Sequence, residues 1–169
     1  IVTGVQTCAL PILMLVHPIA VEKYIVTKEE SDVVISRRKS PKKGKLVDLF
    51  DELIRIPELM ASDNFILEIL MIKEEEIRCK DGKGSWRRKG ISIVDRKLLE
   101  VVQKITFKEE KDFLVFLPEE LPEDFTNKHL AKALKITVFK ARKITYCLRK
   151  MKIIKEIGKI KNELIFERV

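Results

Sequence analysis

Cysteine, histidine and glycine are scarce in this chain of 169 residues, which has three Cys, two His and six Gly. So few cysteines exclude a disulfide framework and a Cys-rich zinc site. The chain also lacks a Gly-rich phosphate loop, a Gly-x-Ser-x-Gly elbow and a Cys-x-x-Cys motif. His17 and His129 do not have the spacing of a metal pair or of a nucleophile and its base. The sequence therefore assigns no catalytic residue, metal ligand or cofactor.

Long apolar runs are absent as well, since none approaches the roughly 20 residues that cross a bilayer. Apolar residues nevertheless make up 46% of the chain, which is enough for a core. The charge is basic, with 34 Lys and Arg against 26 Asp and Glu. These properties predict a soluble, cytoplasmic protein of one or two small domains with no membrane partner.

The N-terminal segment does not have the features of a secretory signal, because it lacks a basic stretch and an Ala-x-Ala site. Residues 2–12 (VTGVQTCALPI) resemble, letter for letter, the translation of a common sequencing-adapter oligonucleotide. We therefore interpret residues 1–12 as an adapter-derived artefact and expect the natural protein to begin further upstream. The alternative is an ordinary apolar strand that ends at Pro11.

From residue 13 to about 107, apolar runs alternate with charged turns, a pattern that predicts short strands. These strands are expected at residues 13–16, 24–26, 33–35 and 65–72. Helical spacing predicts a helix over residues 45–56. Residues 91–105 remain open between a strand followed by a helix and a single helix. We interpret this region as a truncated α/β domain.

The last third of the chain has a different pattern. Residues 109–117 and 127–134 predict two helices, and a third helix is expected from a Thr137 cap to Met151. Residues 153–157 and 163–167 flank a turn and predict a hairpin. This order is typical of a winged helix-turn-helix domain, in which the last helix enters the major groove of DNA.

The basic excess lies in this last segment. Residues 128–169 hold thirteen Lys and Arg against three Glu, a net charge of +10, whereas the preceding residues have a net charge of −2. Because counterion release favours such a segment on DNA, contacts are predicted at Lys140, Lys143, Arg149, Lys150, Lys159 and Lys161. The alternatives are a solvated helix face and a module used for protein docking or structure alone.

A secondary basic patch is predicted at Arg37, Arg38, Lys39, Lys42, Lys43, Arg87 and Arg88. These residues could follow a phosphate backbone, or they simply lie in exposed loops. Glu68 is the one carboxylate inside the apolar run of residues 65–72 and needs a partner when buried. A salt bridge is favoured there over a metal-ligand role.

Six stretches together resemble an uncharacterised family of bacterial proteins. They are LVHPI (15–19), RRKSPKKG (37–44), LMIKEEEIR (70–78), WRRKG (86–90), FTNKHLAKAL (125–134) and ARKITYCLR (141–149). The resemblance implies an N-terminal half similar to restriction-endonuclease-like folds and a C-terminal winged helix. It also implies that an acidic nuclease motif, with any divalent metal it holds, would lie upstream of residue 15. No catalytic residue is therefore transferred to this chain.

We predict an α+β chain in which residues 13–107 form a truncated, nuclease-like α/β remnant and residues 108–169 form a winged helix-turn-helix domain. The predicted function is the binding of double-stranded DNA within a nuclease-like protein, with this fragment catalytically inert. The alternatives are a non-enzymatic transcriptional regulator and a protein-interaction scaffold.

Overall fold

A computed structural model describes residues 12–62 and 64–169. The prediction for residues 1–12 therefore lies outside the described residues, apart from Ile12. Strands account for 45% of the structure and helices for 27%. The strands are β1 (Leu13–Lys28), β2 (Val34–Lys39), β3 (Phe65–Lys80), β4 (Ile91–Phe107), β5 (Phe125–Thr126), β6 (Ile154–Ile160) and β7 (Glu163–Arg168). The α-helices are α1 (Phe50–Leu53), α2 (Asn127–Ala133) and α3 (Val138–Lys150).

Four strands form one sheet in the order β2-β1-β3-β4. Strand β2 pairs antiparallel with the end of β1, with Tyr24 opposite Lys39 and Thr27 opposite Ser36. Strands β1, β3 and β4 are 16 or 17 residues long, far above the usual five or six. Their many β-branched residues suit a pleated surface.

The chain divides into two compact units. The first, here called the sheet unit, comprises residues 16–49 and 69–105. Its buried core is almost entirely aliphatic and consists of Ile19, Ile25, Val26, Leu49, Ile69 and Ile72. Strand β4 buries little in this unit, since residues 94–104 are all exposed.

The second unit, here called the helical unit, comprises residues 12–15, 50–62, 64–68 and 106–169 among those described. Its core contains a group of four phenylalanines, in which the Phe50 and Phe116 ring centroids lie 4.7 Å apart and nearly perpendicular. The Phe107 and Phe113 rings stack at 4.6 Å. Helix α3 adds its apolar face through Ala141, Ile144 and Leu148.

The helical unit also holds a three-stranded sheet in the order β5-β7-β6. Both pairs are antiparallel, with Phe125 opposite Phe166 and Lys159 opposite Leu164. The sequence-based helices at residues 127–134 and 137–151 and the hairpin that follows are confirmed. Thr126 and Thr137 cap α2 and α3 as expected, since each side chain accepts hydrogen bonds from the first backbone N–H groups.

The fold-class prediction is wrong. The described residues are mostly β, and neither a nuclease-like α/β remnant nor a winged helix-turn-helix domain is indicated. The expected leading helix at 109–117 is a 3-10 helix, Glu110–Phe116, and residues 50–62 and 64–68 join the same unit from elsewhere in the chain. Residues 91–105 belong to one strand, β4, which pairs with β3. The expected helix at 45–56 is a 3-10 turn, Leu46–Leu49, followed by the single-turn α1.

Candidate nucleic-acid interface

Helix α3 is fixed at its start and at its middle. The Thr137 hydroxyl accepts a hydrogen bond from the Lys140 backbone N–H at 3.2 Å. The buried Thr145 hydroxyl donates to the Asn127 side-chain oxygen over 2.7 Å, which ties α3 to the first residue of α2. The first hydrogen bond is exposed and caps the helix, whereas the second is partly buried and holds α3 against α2 in one orientation.

A groove of about 300 Å³ lies between the start of α2, α3 and β7. Val138, Leu164 and Phe166 contribute its apolar part. Three cations, Lys128, Arg142 and Arg149, line it together with Tyr146, and we call this surface the basic groove. Glu163 is the one acid among the described residues that line it, and its hydrogen bond from Lys128 holds the pKa of the carboxyl below its usual value.

Two of the predicted DNA contacts, Lys140 and Lys143, form ion pairs with the same carboxylate. Their ammonium groups stand 3.3 Å and 2.9 Å from the two carboxylate oxygens of Asp51. Burial alone would raise the pKa of Asp51, but the hydrogen bond from Lys143 and the charge of Lys140 outweigh it and lower the pKa. The charge of this lysine pair is therefore partly neutralised within the helical unit.

The remaining predicted contacts divide into two groups. Arg149 pairs with Glu156, and the Lys150 ammonium lies 3.2 Å from a Glu58 oxygen. Lys159 and Lys161 at the tip of the β6–β7 hairpin are exposed, and no acidic side chain in the described part of the chain pairs with them. All six positions lie in the helical unit, but only the hairpin pair is without a local counter-charge.

Sequence reasoning did not single out four cations in residues 128–152 that have no acidic partner among the described residues. They are Lys132, Lys135, Arg142 and Lys152. Arg142 is the one that lines the groove. A signal was present, because positions 142, 146 and 149 follow the i, i+4, i+7 spacing of one helix face.

The residues of the secondary basic patch do not share one environment. Arg37 pairs with Glu75 at 3.0 Å and lies over the Tyr24 ring, and Lys39 pairs with Glu22. Arg38, Lys42 and Lys43 are exposed, and the described residues supply no acid to them. The other members, Arg87 and Arg88, lie in a short 3-10 helix beside the exposed Trp86, where Arg88 donates to the Ser85 hydroxyl at 3.2 Å.

The two histidines and Glu68 do not form a catalytic group. The Nδ1 atom of His129 accepts the Thr126 backbone N–H at 3.4 Å and completes the α2 cap. His17 lines a cavity of the sheet unit. Glu68 is buried and has an interaction partner.

In the described part of the chain, no three His, Cys, Asp or Glu side chains are grouped as a metal site requires. No helix among these residues is long and apolar enough to cross a membrane.

Comparison with known proteins gives a family but no activity. An uncharacterised protein of Treponema pallidum (strain Nichols) is 35% identical over 120 residues, which are 71% of this chain and 48% of that protein. The chain thus spans about half the length of this relative. No solved structure matches, and neither a restriction-endonuclease family nor a winged-helix family is shown. Residues 7–108 match the model of a domain of unknown function, DUF8091, so the chain belongs to that family.

Proposed function

We propose that this chain binds double-stranded DNA through its phosphate backbone, with the basic groove at the centre of the contact. The observation that carries the proposal is Arg142, an exposed guanidinium that lines the groove beside Lys128 and Arg149 and has no acidic partner among the described residues. A guanidinium presents a planar set of donors that matches a phosphate, and it stays charged at any physiological pH.

The wider charge distribution supports this proposal. Residues 128–169 carry ten more cations than anions, so the segment attracts polyanions at long range. Each phosphate that it neutralises releases condensed counterions, which makes the binding depend on salt. Tyr146, with 37% of its surface exposed, adds a polar aromatic side chain to the groove.

The proposal is limited to binding. The nuclease-like activity implied by the family resemblance would need residues that the described part of this chain does not group together. The relative is about twice as long as its matched region, and any reaction of the longer proteins is a separate question from the contact proposed here.

A salt titration tests the proposal most directly. The fluorescence anisotropy of a labelled duplex of about 20 base pairs is followed at salt concentrations from roughly 50 to 300 mM. Contact with about four to six phosphates should give a slope of log K against log salt of roughly −4 to −5. The proposal is refuted if the duplex does not bind at the lowest salt, or if its affinity does not change with salt. Either result would favour a protein-interaction role.

Substitutions then locate the contact. Arg142→Ala should flatten the slope by about one unit and weaken binding several-fold. Lys155→Ala is the matched control, because Lys155 is an exposed cation of the same unit that pairs with Glu167 at 3.2 Å. Equal losses from both substitutions would show that net charge, rather than the basic groove, determines the affinity.

A further inference from the structure

The sheet unit contains a polar cavity of about 310 Å³. It lies between β1, the loop that follows β2, and β3. Its charged side chains and its one histidine come from all three segments and are His17, Lys23, Lys42, Asp48, Glu76 and Arg78. A cavity of this size is at the small end of the range for ligand sites, where a few polar groups determine what is bound.

Glu76 holds the cations of this cavity in place. Only 3% of its surface is exposed. The Nε and Nη2 atoms of Arg78 lie 2.7 Å and 2.6 Å from one carboxylate oxygen, and the Lys23 ammonium lies 3.2 Å from the other. Burial by itself would raise the pKa of Glu76, but these hydrogen bonds outweigh it and lower the pKa.

The same cations keep donors that no described residue uses. Arg78 has five N–H hydrogens, and its contacts with Glu76 involve only Nε and Nη2. Lys23 gives its other contact to Glu74 at 2.7 Å and still has a third hydrogen. Neither the Lys42 ammonium nor the His17 ring has a partner within the described residues. Unused donors from four side chains therefore surround one cavity.

The loop that carries Lys42 is held in place by β1 without a ligand. The backbone N–H of Ser40 donates to the Lys23 carbonyl, and that of Gly44 donates to the Ala20 carbonyl, each at 2.8 Å. A Cβ at position 44 would stand 2.7 Å from the Ala20 carbonyl oxygen, so only glycine allows this approach. Because the loop is attached at both ends, a ligand need not order it, and this reduces the entropy cost of binding.

We propose that this cavity binds a phosphate monoester. Arg78 offers the planar donors that suit phosphate oxygens, Lys23 and Lys42 add point charges, and His17 adds a ring donor. The chemistry is shared by a small phosphorylated metabolite and by the terminal phosphate of a nucleic-acid strand. The site belongs to the sheet unit and does not depend on the basic groove of the helical unit.

Inorganic phosphate is the first probe, titrated into the whole chain at constant ionic strength and followed by NMR of backbone amides. We expect saturable shifts around Lys42, Gly44 and Arg78, with a Kd of about 1 mM. Lys42→Ala should weaken binding by roughly tenfold, the effect of one charge-assisted hydrogen bond. Lys43→Ala is the matched control, since Lys43 is the neighbouring exposed cation and does not line the cavity.

Two results would overturn the proposal. One is the absence of saturation at about 50 times the expected Kd. The other is an equal loss from Lys42→Ala and Lys43→Ala, which would show a general attraction to the loop. Gly44→Ala provides an independent variant, because its Cβ must push the loop away from β1. It should weaken phosphate binding although no charge is removed, and unchanged binding would contradict a preformed site.

The source of the phosphate is determined in an Arg142→Ala background, so that the basic groove contributes less. Adenosine monophosphate is compared with a short single strand that carries a 5′-phosphate and with the same strand ending in a 5′-hydroxyl. Tighter binding of the phosphorylated strand alone identifies a nucleic-acid end, and tighter binding of the mononucleotide identifies a small metabolite. If neither phosphomonoester competes with inorganic phosphate, the proposal is wrong.

Discussion

The two units of this molecule use lysine and arginine in opposite ways. In the sheet unit, cations meet acids on neighbouring strands, as Lys39 does with Glu22 and Lys73 with Glu100. In the helical unit, residues 128–169 have thirteen cations and only three acids, so a surplus remains even after Asp51 and Glu58 are used. Paired cations therefore hold neighbouring strands together in the sheet unit, where Lys42 and its loop are an exception, whereas residues 128–169 keep a net positive charge over a whole segment.

The cores differ as well, and this difference gives the largest expected effect. Phe50 is fully buried against Phe116 in the helical unit, whereas the sheet unit relies on aliphatic residues such as Ile72. Phe50→Ala should lower the free energy of unfolding by about 4 kcal/mol, because a ring-sized cavity remains. Ile72→Val should cost only about 1 kcal/mol. Urea unfolding measures both, and similar losses would contradict a core centred on the phenylalanines.

Glu76 should dominate the electrostatic stability of the sheet unit. Glu76→Gln leaves Lys23 and Arg78 without their buried counter-charge and should cost about 3 kcal/mol. Glu100→Gln is the control, since its pair with Lys73 is exposed and should contribute less than about 1 kcal/mol. A comparable loss from both variants, measured by urea unfolding at neutral pH, would show that burial does not distinguish the two pairs.

The pH dependence of this contribution has a definite sign. The folded-state pKa of Glu76 is lowered from 4.5, so the unfolded chain binds a proton more readily than the folded chain. The stabilisation is complete above pH 4.5 and is lost as the pH falls through the folded-state pKa. As the pH falls through this acidic range, the free energy of unfolding should fall less for Glu76→Gln than for the unsubstituted chain. If the free energies of unfolding of the two chains change in parallel with pH, the ion network of Glu76 is contradicted.

Cysteine reactivity separates the units further. Burial raises the pKa of both thiols, to about 12 for Cys147, which is buried in α3, whereas Cys79 in β3 is only half-buried. Since the thiolate is the reactive form, Cys147 should react with a thiol reagent at least about 100 times more slowly than Cys79 in a Cys8→Ser background. Cys147→Ser identifies the slow phase. Equal rates would mean that α3 opens readily.

Local pattern predicted the parts of the fold that local forces decide. The caps at Thr126 and Thr137 and the turn between β6 and β7 need only neighbours in sequence, and those predictions are confirmed. Strand β4 could not be predicted, because residues such as Leu98 and Leu99 fit a helix as well as a strand until the pairing with β3 is known.

The prediction of the candidate site was limited by contacts between residues that are distant in sequence. Lys143 and Lys150 each find their acid 92 positions away in the chain, in Asp51 and Glu58. No spacing rule along a helix reveals such partners, so a count of cations overestimates the positive charge that is left without a counter-charge. Arg142 lies next to Lys143 in sequence, yet it faces the groove instead of Asp51.

The smallest expected effect tests this idea of neutralised cations. Asp51→Asn removes the acid that Lys140 and Lys143 share. Neither lysine lines the basic groove, so the charge that this substitution uncovers would attract a duplex from a neighbouring face of α3. We expect duplex affinity to rise by about fivefold and the salt slope to steepen by one to two units. Because 42% of the Asp51 side chain is exposed, the cost in stability should stay below about 1 kcal/mol.

The control for Asp51→Asn must add the same charge elsewhere in the helical unit. Asp124→Asn does so, because Asp124 is exposed and no cation in the described part of the chain pairs with it. If both variants strengthen binding equally, net charge alone explains the effect and Lys140 and Lys143 are ordinary surface cations. If only Asp51→Asn strengthens it, the acid from a distant part of the chain limits how tightly α3 holds DNA.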